Sequence, residues 1–320
     1  KQYTGKRGHK MKIKKIIALA AALSVTAVGI NIPYSGTALT SITASAETSA
    51  ESFEFDSATG TITKYNGSDT DIVIPSEIDG VTVTQIKDMA FDECTEIISI
   101  YIPDSITSIG SGAFNNCSKL EKVTLPNAIE IIPAGMFHNC SSLTDIQIPD
   151  SVTDIQISSF EGCSSLTSII IPNSVENLSI AIFRDCTSLS SVTLSDSLEV
   201  IHPYSFENCT SLKSIVIPKS VTTIHNYVFN GCTNLSSVTL SDSLEYIGES
   251  VFDNCPLLKS ITIPKSVTTI LDNALGHDVE GFTISGYKGS VAEEFAVING
   301  FNFIALDDDE PKSLGDVNGD

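Results

Sequence analysis

Eight cysteines, Cys94, Cys117, Cys140, Cys163, Cys186, Cys209, Cys232 and Cys255, follow one another at intervals of 23 residues. Three residues before each stands a phenylalanine: Phe91, Phe114, Phe137, Phe160, Phe183, Phe206, Phe229 and Phe252. Two unrelated residue types that keep one period mark a repeated structural unit, and such a unit buries its apolar side only against copies of itself. Positions 3, 6, 8, 12 and 15 after every cysteine are Ile, Leu or Val; after Cys209 they are Leu212, Ile215, Ile217, Val221 and Ile224. The alternation at Ile215 and Ile217 predicts a short strand with one buried face. Pro218, which has no N–H to donate, ends it, and Ser220 opens the next bend. Asn226 to Asn230 reads as a single helical or 3-10 turn that points Phe229 inward. The residue before the cysteine is Asn116, Asn139, Gly162, Asp185, Asn208, Gly231 or Asn254 in seven units, types that tolerate a left-handed backbone. Glu93 is the exception.

A longer period overlies the first. Ser190 to Ile201 and Ser236 to Ile247 differ only at Val200 versus Tyr246, and Lys213 to Ile224 differs from Lys259 to Ile270 only at Val216 versus Thr262. Copying at this level suits a scaffold whose units touch only their neighbours, and suits a unique active site badly. The stack also needs closed ends. Phe53 to Phe55 and Thr61 to Tyr65 read as a hairpin cap, Ile72 to Ile74 begins an irregular first unit lengthened by Glu77 to Val81, and the N-terminal cap spans 53–90. In the ninth unit Leu275 and Asp278 replace the phenylalanine and cysteine. Ser290 with Glu293 predicts a capping box for a helix that Gly300 ends, with Val291, Phe295 and Ile298 on its apolar side. A strand from Phe301 to Ala305 completes a C-terminal cap over 276–306.

A period of 23 with this apolar spacing is that of a leucine-rich-repeat solenoid. The stretch Leu212 to Cys232, L-x-x-I-x-I-P-x-S-V-x-x-I-x-x-x-x-F-x-x-C, resembles the BspA-like leucine-rich repeats of bacterial surface and secreted proteins, over about residues 53 to 306. The resemblance implies a right-handed curved coil with parallel strands on its concave side, and roles in adhesion or protein recognition. Ser220 departs from the commonest leucine-rich pattern, which has Asn there.

The ends carry other signals. Residues 1–10 precede Met11 and read as upstream read-through. Lys12, Lys14 and Lys15, the apolar run Ile16 to Ile32 and the A-x-A site Ala44-Ser45-Ala46 make 11–46 a secretory signal peptide. The folded domain is then 47–306, in a secreted, extracellular chain that does not insert in the membrane after cleavage, and that is held at the cell surface if a scaffold carries it. The chain has 39 acids against 18 bases; setting aside the seven bases of residues 1–46 leaves 11, a net charge of about −28. Such a surface repels phosphate backbones, so nucleic acid is not an expected partner. After an acidic linker, 307–314, the tail Gly315-Asp316-Val317-Asn318-Gly319-Asp320 resembles the opening of a type I dockerin. That resemblance makes Asp316, Asn318 and Asp320 calcium ligands of an incomplete loop, with calcium bound by the complete dockerin and a cohesin-bearing scaffold protein as partner.

Eight cysteines in an exported chain raise the question of disulfides. Stacked equivalent positions keep their Cβ atoms about 4.7 to 4.9 Å apart, longer than the ~3.8 Å of a bridge, so a buried column of free thiols is expected. His202 and His225 share a place in consecutive units, as do Tyr204 and Tyr227; with Tyr101 they are the candidate binding residues, a small recognition patch or a weak metal site on an otherwise solvated face. The outward strand residues are mainly Ser and Thr, as at Ser191 and Thr193. No G-x-S-x-G, H-E-x-x-H or phosphate-loop motif occurs. The sequence thus predicts a non-catalytic secreted binding module, with an unknown protein or polysaccharide ligand and no cofactor as far as Asp320, recruited to a cellulosome-like polysaccharide-degrading complex. A free or wall-attached adhesin is the alternative, as is a targeting module for a glycoside hydrolase or protease encoded beyond Asp320.

Overall fold

The computed structural model describes residues 46–277 and 279–306. Residues 1–10, all but the last residue of the expected leader, the 307–314 linker and the tail with Asp316, Asn318 and Asp320 lie outside the described residues. The chain forms a β-solenoid of about 11 coils with a repeat of about 23 residues and little helix.

Each regular coil contributes two short strands. The first, such as Ser214–Val216, pairs in parallel with the equivalent strand one coil on, Ser214 opposite Ser237 and Val216 opposite Thr239. The second, such as Thr223–Ile224, was not anticipated from the sequence; it pairs in parallel with Tyr246–Ile247. The partner residues lie 23 apart, so every inward side chain meets its own equivalent and one hydrophobic interior runs the length of the stack. In two coils the proline after the first strand is replaced by Ser195 or Ser241. Their buried hydroxyls donate to the carbonyls of Val175 and Lys219 in the preceding coil, at 2.7 and 3.3 Å.

The third side of the coil is the segment from 226 to 232 and its equivalents. It is a pair of single 3-10-type turns and not a continuous helix: the N–H groups of Asn230 and Cys232 donate to the carbonyls of Tyr227 and Phe229, three residues back, at 3.3 and 3.2 Å. Tyr227 (φ 59°) and Gly231 (φ 74°), four residues apart, are both left-handed, and a helix cannot propagate through them. Instead alternate amides point along the solenoid axis: the N–H groups of Tyr227, Phe229 and Gly231 donate to Glu249, Val251 and Asp253 of the next coil at 2.9 to 3.0 Å. The left-handed site before the cysteine recurs at Glu93, Asn116 and Asn139, so even glutamate is held there (φ 57°).

Inside this side the phenylalanines from Phe91 to Phe252 stack with ring centroids 5.0 to 5.7 Å apart. The cysteines line up beside them. Each thiol from Cys117 to Cys255 donates to the carbonyl of the phenylalanine 26 residues earlier, at 3.1 to 3.2 Å. Cys117, Cys140, Cys163, Cys186, Cys209 and Cys232 are buried free thiols, and Cys94 is half-buried. Burial pushes them up, Cys140 to about 12, so they are weak nucleophiles that fill space and lend a donor.

Both ends are closed. Phe53–Asp56 and Thr61–Tyr65 form an antiparallel hairpin, and Tyr65 stacks on Phe91 at 5.3 Å. A second hairpin, Glu77–Ile78 with Val81–Thr82, turns through Asp79 and Gly80, both with positive φ. At the far end the helix spans Val291–Asn299 and stops at left-handed Gly300. Its start differs from the expected capping box: the Ser290 hydroxyl donates back to Tyr287, and Glu293 accepts from the N–H of Gly289. Its buried face is Ala292, Phe295 and Ala296, while Ile298 is 73% exposed. The Cβ direction thus favours small residues against the sheet over the branched one the pattern suggested. The closing strand is Asn302–Ala305, one residue shorter than expected, paired with Thr283–Gly286.

Gly162 tests the turn ladder. Its φ is +74°, and a Cβ there would strike the Asn139 amide oxygen of the preceding coil. Gly162→Ala is expected to lower stability by roughly 1–2 kcal/mol. Ala181→Gly, at a left-handed position already occupied by a side chain (φ 57°), is expected to be neutral or slightly stabilising. Urea denaturation of both variants beside the parent checks the contrast.

Candidate functional site: a break in the second strand ladder

The second ladder is not continuous. Gln85–Ile86 pairs with Ser108–Ile109, then pairing stops; it resumes from Ile131–Ile132 to Asn177–Leu178, stops again, and runs from Val200–Ile201 to Thr269–Ile270. In an intact step the N–H of Thr222 donates to Glu199 and that of His225 to Ile201, at 2.9 and 3.0 Å. At the first stop Pro133 stands at the place of His225 and has no N–H to give. At the second stop the equivalent bonds, from Glu199 or Val200 to Glu176 and from His202 to Leu178, are not formed.

The side chains at that second gap also depart from the pattern of the column. At most steps of this column Glu and Thr alternate, and the threonine hydroxyl donates to the glutamate carbonyl one coil before, as Thr153 does to Glu130 and Thr222 to Glu199, both at 3.4 Å. Glu176 and Glu199 are instead two carboxylates in adjacent coils with no hydroxyl between them. Like charges opposite one another on a sheet repel. Pro203, directly after His202, adds a second constraint by limiting the backbone of the residue before it. Two adjoining hollows lie over the gap and share Asn177, Leu178 and His202. One, of about 350 Å³, extends to Asp154, Gln156 and Ile157; the other, of about 490 Å³, extends to Glu176, Ser197 and Glu199.

A row of rings starts at His202, which lines both hollows. His202 and His225 stack with centroids 5.7 Å apart, and His225 meets the edge of Tyr246 at 6.2 Å. Tyr204 and Tyr227 stack at 5.3 Å, nearly parallel. Both tyrosines sit at the left-handed position that opens the turn segment, which directs their rings outward beside the ladder. Arg184 lies over Tyr204 at 5.8 Å, and its Nε is 2.8 Å from a Glu207 oxygen. Neither atom gains a well-directed hydrogen bond, so the contact is an ion pair only. Burial raises Glu207 above the usual carboxylate range although Arg184 opposes it. Burial, and then the neighbouring His225, lower His202, which favours the neutral imidazole.

The structure therefore pairs His202 with His225 and Tyr204 with Tyr227, four residues singled out from the sequence. Tyr101 belongs to the first ladder, opposite Val73 and Thr124, and has no ring contact with them. Tyr246, the Glu176–Glu199 pair and Arg184 were missed. Among the described residues no group of three or more His, Cys, Asp or Glu is arranged to hold a metal ion. Nor, among them, is any helix long and apolar enough to cross a membrane.

The repeat itself decides the family. The model of the BspA type leucine-rich repeat region matches residues 59–187 and 158–278 in six copies. This chain belongs to the BspA-type leucine-rich repeat family. A leucine-rich repeat protein from Bacteroides ovatus is 28% identical, with a TM-score of 0.66 over 78% of this chain and 64% of that one. The chain thus spans somewhat less than two thirds of that relative. A leucine-rich cell surface protein from Faecalibacterium prausnitzii is 27% identical over 79% of this chain and 92% of that one, with a TM-score of 0.46. The leucine-rich repeat protein of T. pallidum is 25% identical over 81% and 100%, with a TM-score of 0.48. No protein of curated function is significantly similar to the chain.

If the carboxylate pair holds the gap open, Glu199→Thr should remove the like charge and let a hydroxyl reach the Glu176 carbonyl, as that of Thr153 reaches Glu130. The expected gain is about 0.5–1 kcal/mol in stability, measured by thermal or urea unfolding. An equal or lower stability would assign the gap to Pro203 alone.

Proposed function

We propose that this chain is a non-catalytic binding module of the BspA-type repeat family, and that its recognition surface is the outward face of the second ladder around the gap at Leu178 and His202. The observation that carries the reading is the coincidence of three features at one place. The main-chain ladder opens there, hollows form over it, and His202, which lines both hollows, begins a row of rings that continues to His225 and Tyr246, with Tyr204 and Tyr227 stacked in the same two coils. The first ladder is interrupted too, between Ser191–Thr193 and Ser214–Val216 and between Ser237–Thr239 and Ser260–Thr262, so it is the hollows and rings beside this break that give a ligand a preferred position. Half-buried aromatic and imidazole rings give contact area with little rotamer entropy to lose, which is why such groups anchor interfaces.

The module works outside the cell in this reading. Support comes from the Lys12, Lys14, Lys15 leader with Ala44-Ser45-Ala46, and from the acidic surface, which keeps an extended protein soluble. The Asp316, Asn318, Asp320 spacing supports a following calcium-binding dockerin and, through it, a cohesin-bearing scaffold.

The test compares the two ladder faces. The labelled protein is presented to plant cell-wall polysaccharide and, separately, to a purified extracellular protein panel. The double variant His202→Ala with Tyr246→Ala is expected to lose at least about tenfold of any binding found, as the loss of interface anchors does. Ile170→Ser with Val216→Ser, on the exposed face of the first ladder, is expected to leave it unchanged. The reverse pattern would put recognition on the first ladder.

A further inference from the structure

We infer that Asn66 is a site of spontaneous covalent modification, converted through a cyclic imide with Gly67 into a mixture of aspartate and isoaspartate. The site stands apart from the binding surface proposed above. Three Asn-Gly pairs lie within the described residues: Asn66-Gly67, Asn230-Gly231 and Asn299-Gly300. In such a pair the glycine nitrogen can attack the asparagine side-chain carbonyl carbon, because glycine has no Cβ to obstruct the approach. The nitrogen must give up its hydrogen to do so. An N–H held by a carbonyl in the native fold is therefore protected, as it is from exchange with solvent.

The fold withholds two of the three pairs. The N–H of Gly231 donates along the solenoid axis to the Asp253 carbonyl at 3.0 Å, one of the bonds that join coil to coil, and the Asn230 amide meets the Asp253 carboxylate at 3.4 Å. The N–H of Gly300 is turned back onto the Ala296 and Val297 carbonyls at the helix end, while the Asn299 amide donates to the Phe295 carbonyl at 2.8 Å. The remaining pair is open. Among the described residues the N–H of Gly67 has no acceptor, and Asn66 is exposed. The Asn66 amide donates at 2.9 Å to the Glu54 carboxylate, itself exposed, a contact that water readily replaces. The main-chain N–H of Asn66 is held by the Ser52 carbonyl at 2.8 Å, so this residue is fixed while the next amide is not. Glycine is also required at the following place, since a Cβ on Gly67 would strike the Tyr65 ring.

The steps balance with water as the only co-reactant. Solvent base takes the Gly67 amide proton as the nitrogen bonds to Asn66 Cγ; the Cγ–Nδ2 bond breaks, and ammonia leaves with a proton from solvent. Water then opens the ring. Attack at Cγ restores the peptide bond and gives aspartate, whereas attack at the Asn66 main-chain carbonyl carbon gives isoaspartate, in which the chain runs through the former side chain. Both products put a carboxylate near Glu54 in place of an amide donor. Isoaspartate also lengthens the main chain directly after Tyr65, the ring stacked on Phe91.

The experiment incubates the whole chain for days at neutral and at mildly alkaline pH, folded and in concentrated urea. Peptide mass spectrometry reads each pair by the mass gained when an amide becomes an acid, and labelling with an isoaspartyl methyltransferase separates the two products. In the folded chain Asn66 is expected to convert at least about tenfold faster than Asn230 or Asn299, and in urea the three rates should converge. Conversion at Asn66 should be faster at the higher pH, as loss of the Gly67 proton requires, and isoaspartate should form as well as aspartate. Asn66→Gln, which keeps an amide but would need a larger ring, should stay unmodified at this place, and its circular dichroism melt checks that it is folded. The inference is overturned if Asn66 in the folded chain fails to outpace Asn230 and Asn299 by that factor. It is overturned as well if aspartate forms alone, which marks direct hydrolysis without the ring. A difference among the three pairs that persists in urea would assign the selectivity to neighbours in sequence and not to the fold.

Discussion

Main-chain hydrogen bonds between one coil and the next hold this molecule in register, and they are made on three sides of the coil: the first strand, the second strand and the turn that carries the phenylalanine. Each bond needs a donor and an acceptor 22 to 24 residues apart, so the period of the sequence is the condition for the ladders to close. The interior follows from that condition. Once equivalent residues lie over one another, phenylalanine stacks on phenylalanine, and each cysteine reaches the carbonyl of the phenylalanine in the coil before. Removing one ring from the middle of such a column would leave a cavity walled by its two neighbours, at a cost of about 3–5 kcal/mol.

The same condition makes departures visible. The second ladder breaks at Pro133, where a donor is missing, and between Glu176 and Glu199, where two carboxylates lie in adjacent coils; the first ladder breaks between Ser191–Thr193 and Ser214–Val216 with neither feature. The second failure is accompanied by hollows and a border of rings. A scaffold of near-copies thereby carries local irregularities while its repeat is kept. The cost to stability is local, since each coil touches only the coils beside it.

Much of this was legible in the sequence, because burial in a solenoid is set by short-range spacing. The 23-residue period, the first strand at Ile215 and Ile217, the hairpin at Phe53 to Tyr65 and the helix before Gly300 all follow from alternation, period and turn residues. The second strand escaped notice because only two residues per coil, such as Thr223 and Ile224, are paired, too few for a pattern. The division of that side into separate turns was not legible because its left-handed residue is glycine in only two coils; Tyr204, Tyr227 and Ala181 give no sign of positive φ. The site was half legible. Repeated histidines and tyrosines stood out as a column, but a column shows no preference for one coil. What marks the place is an absent alternation, Glu176 followed by Glu199, together with a single difference between copied segments, Val200 versus Tyr246, which falls on the outward side of the ladder.

Amide-resolved hydrogen exchange measures the gap directly, since protection reports whether an N–H is bonded in the native state. The amides of Glu199 and His202 are expected to exchange at least about tenfold faster than those of Thr222 and His225, which hold the same places one coil later. Equal protection at the two coils would show an unbroken ladder, and would remove the structural ground for a binding surface at Leu178 and His202.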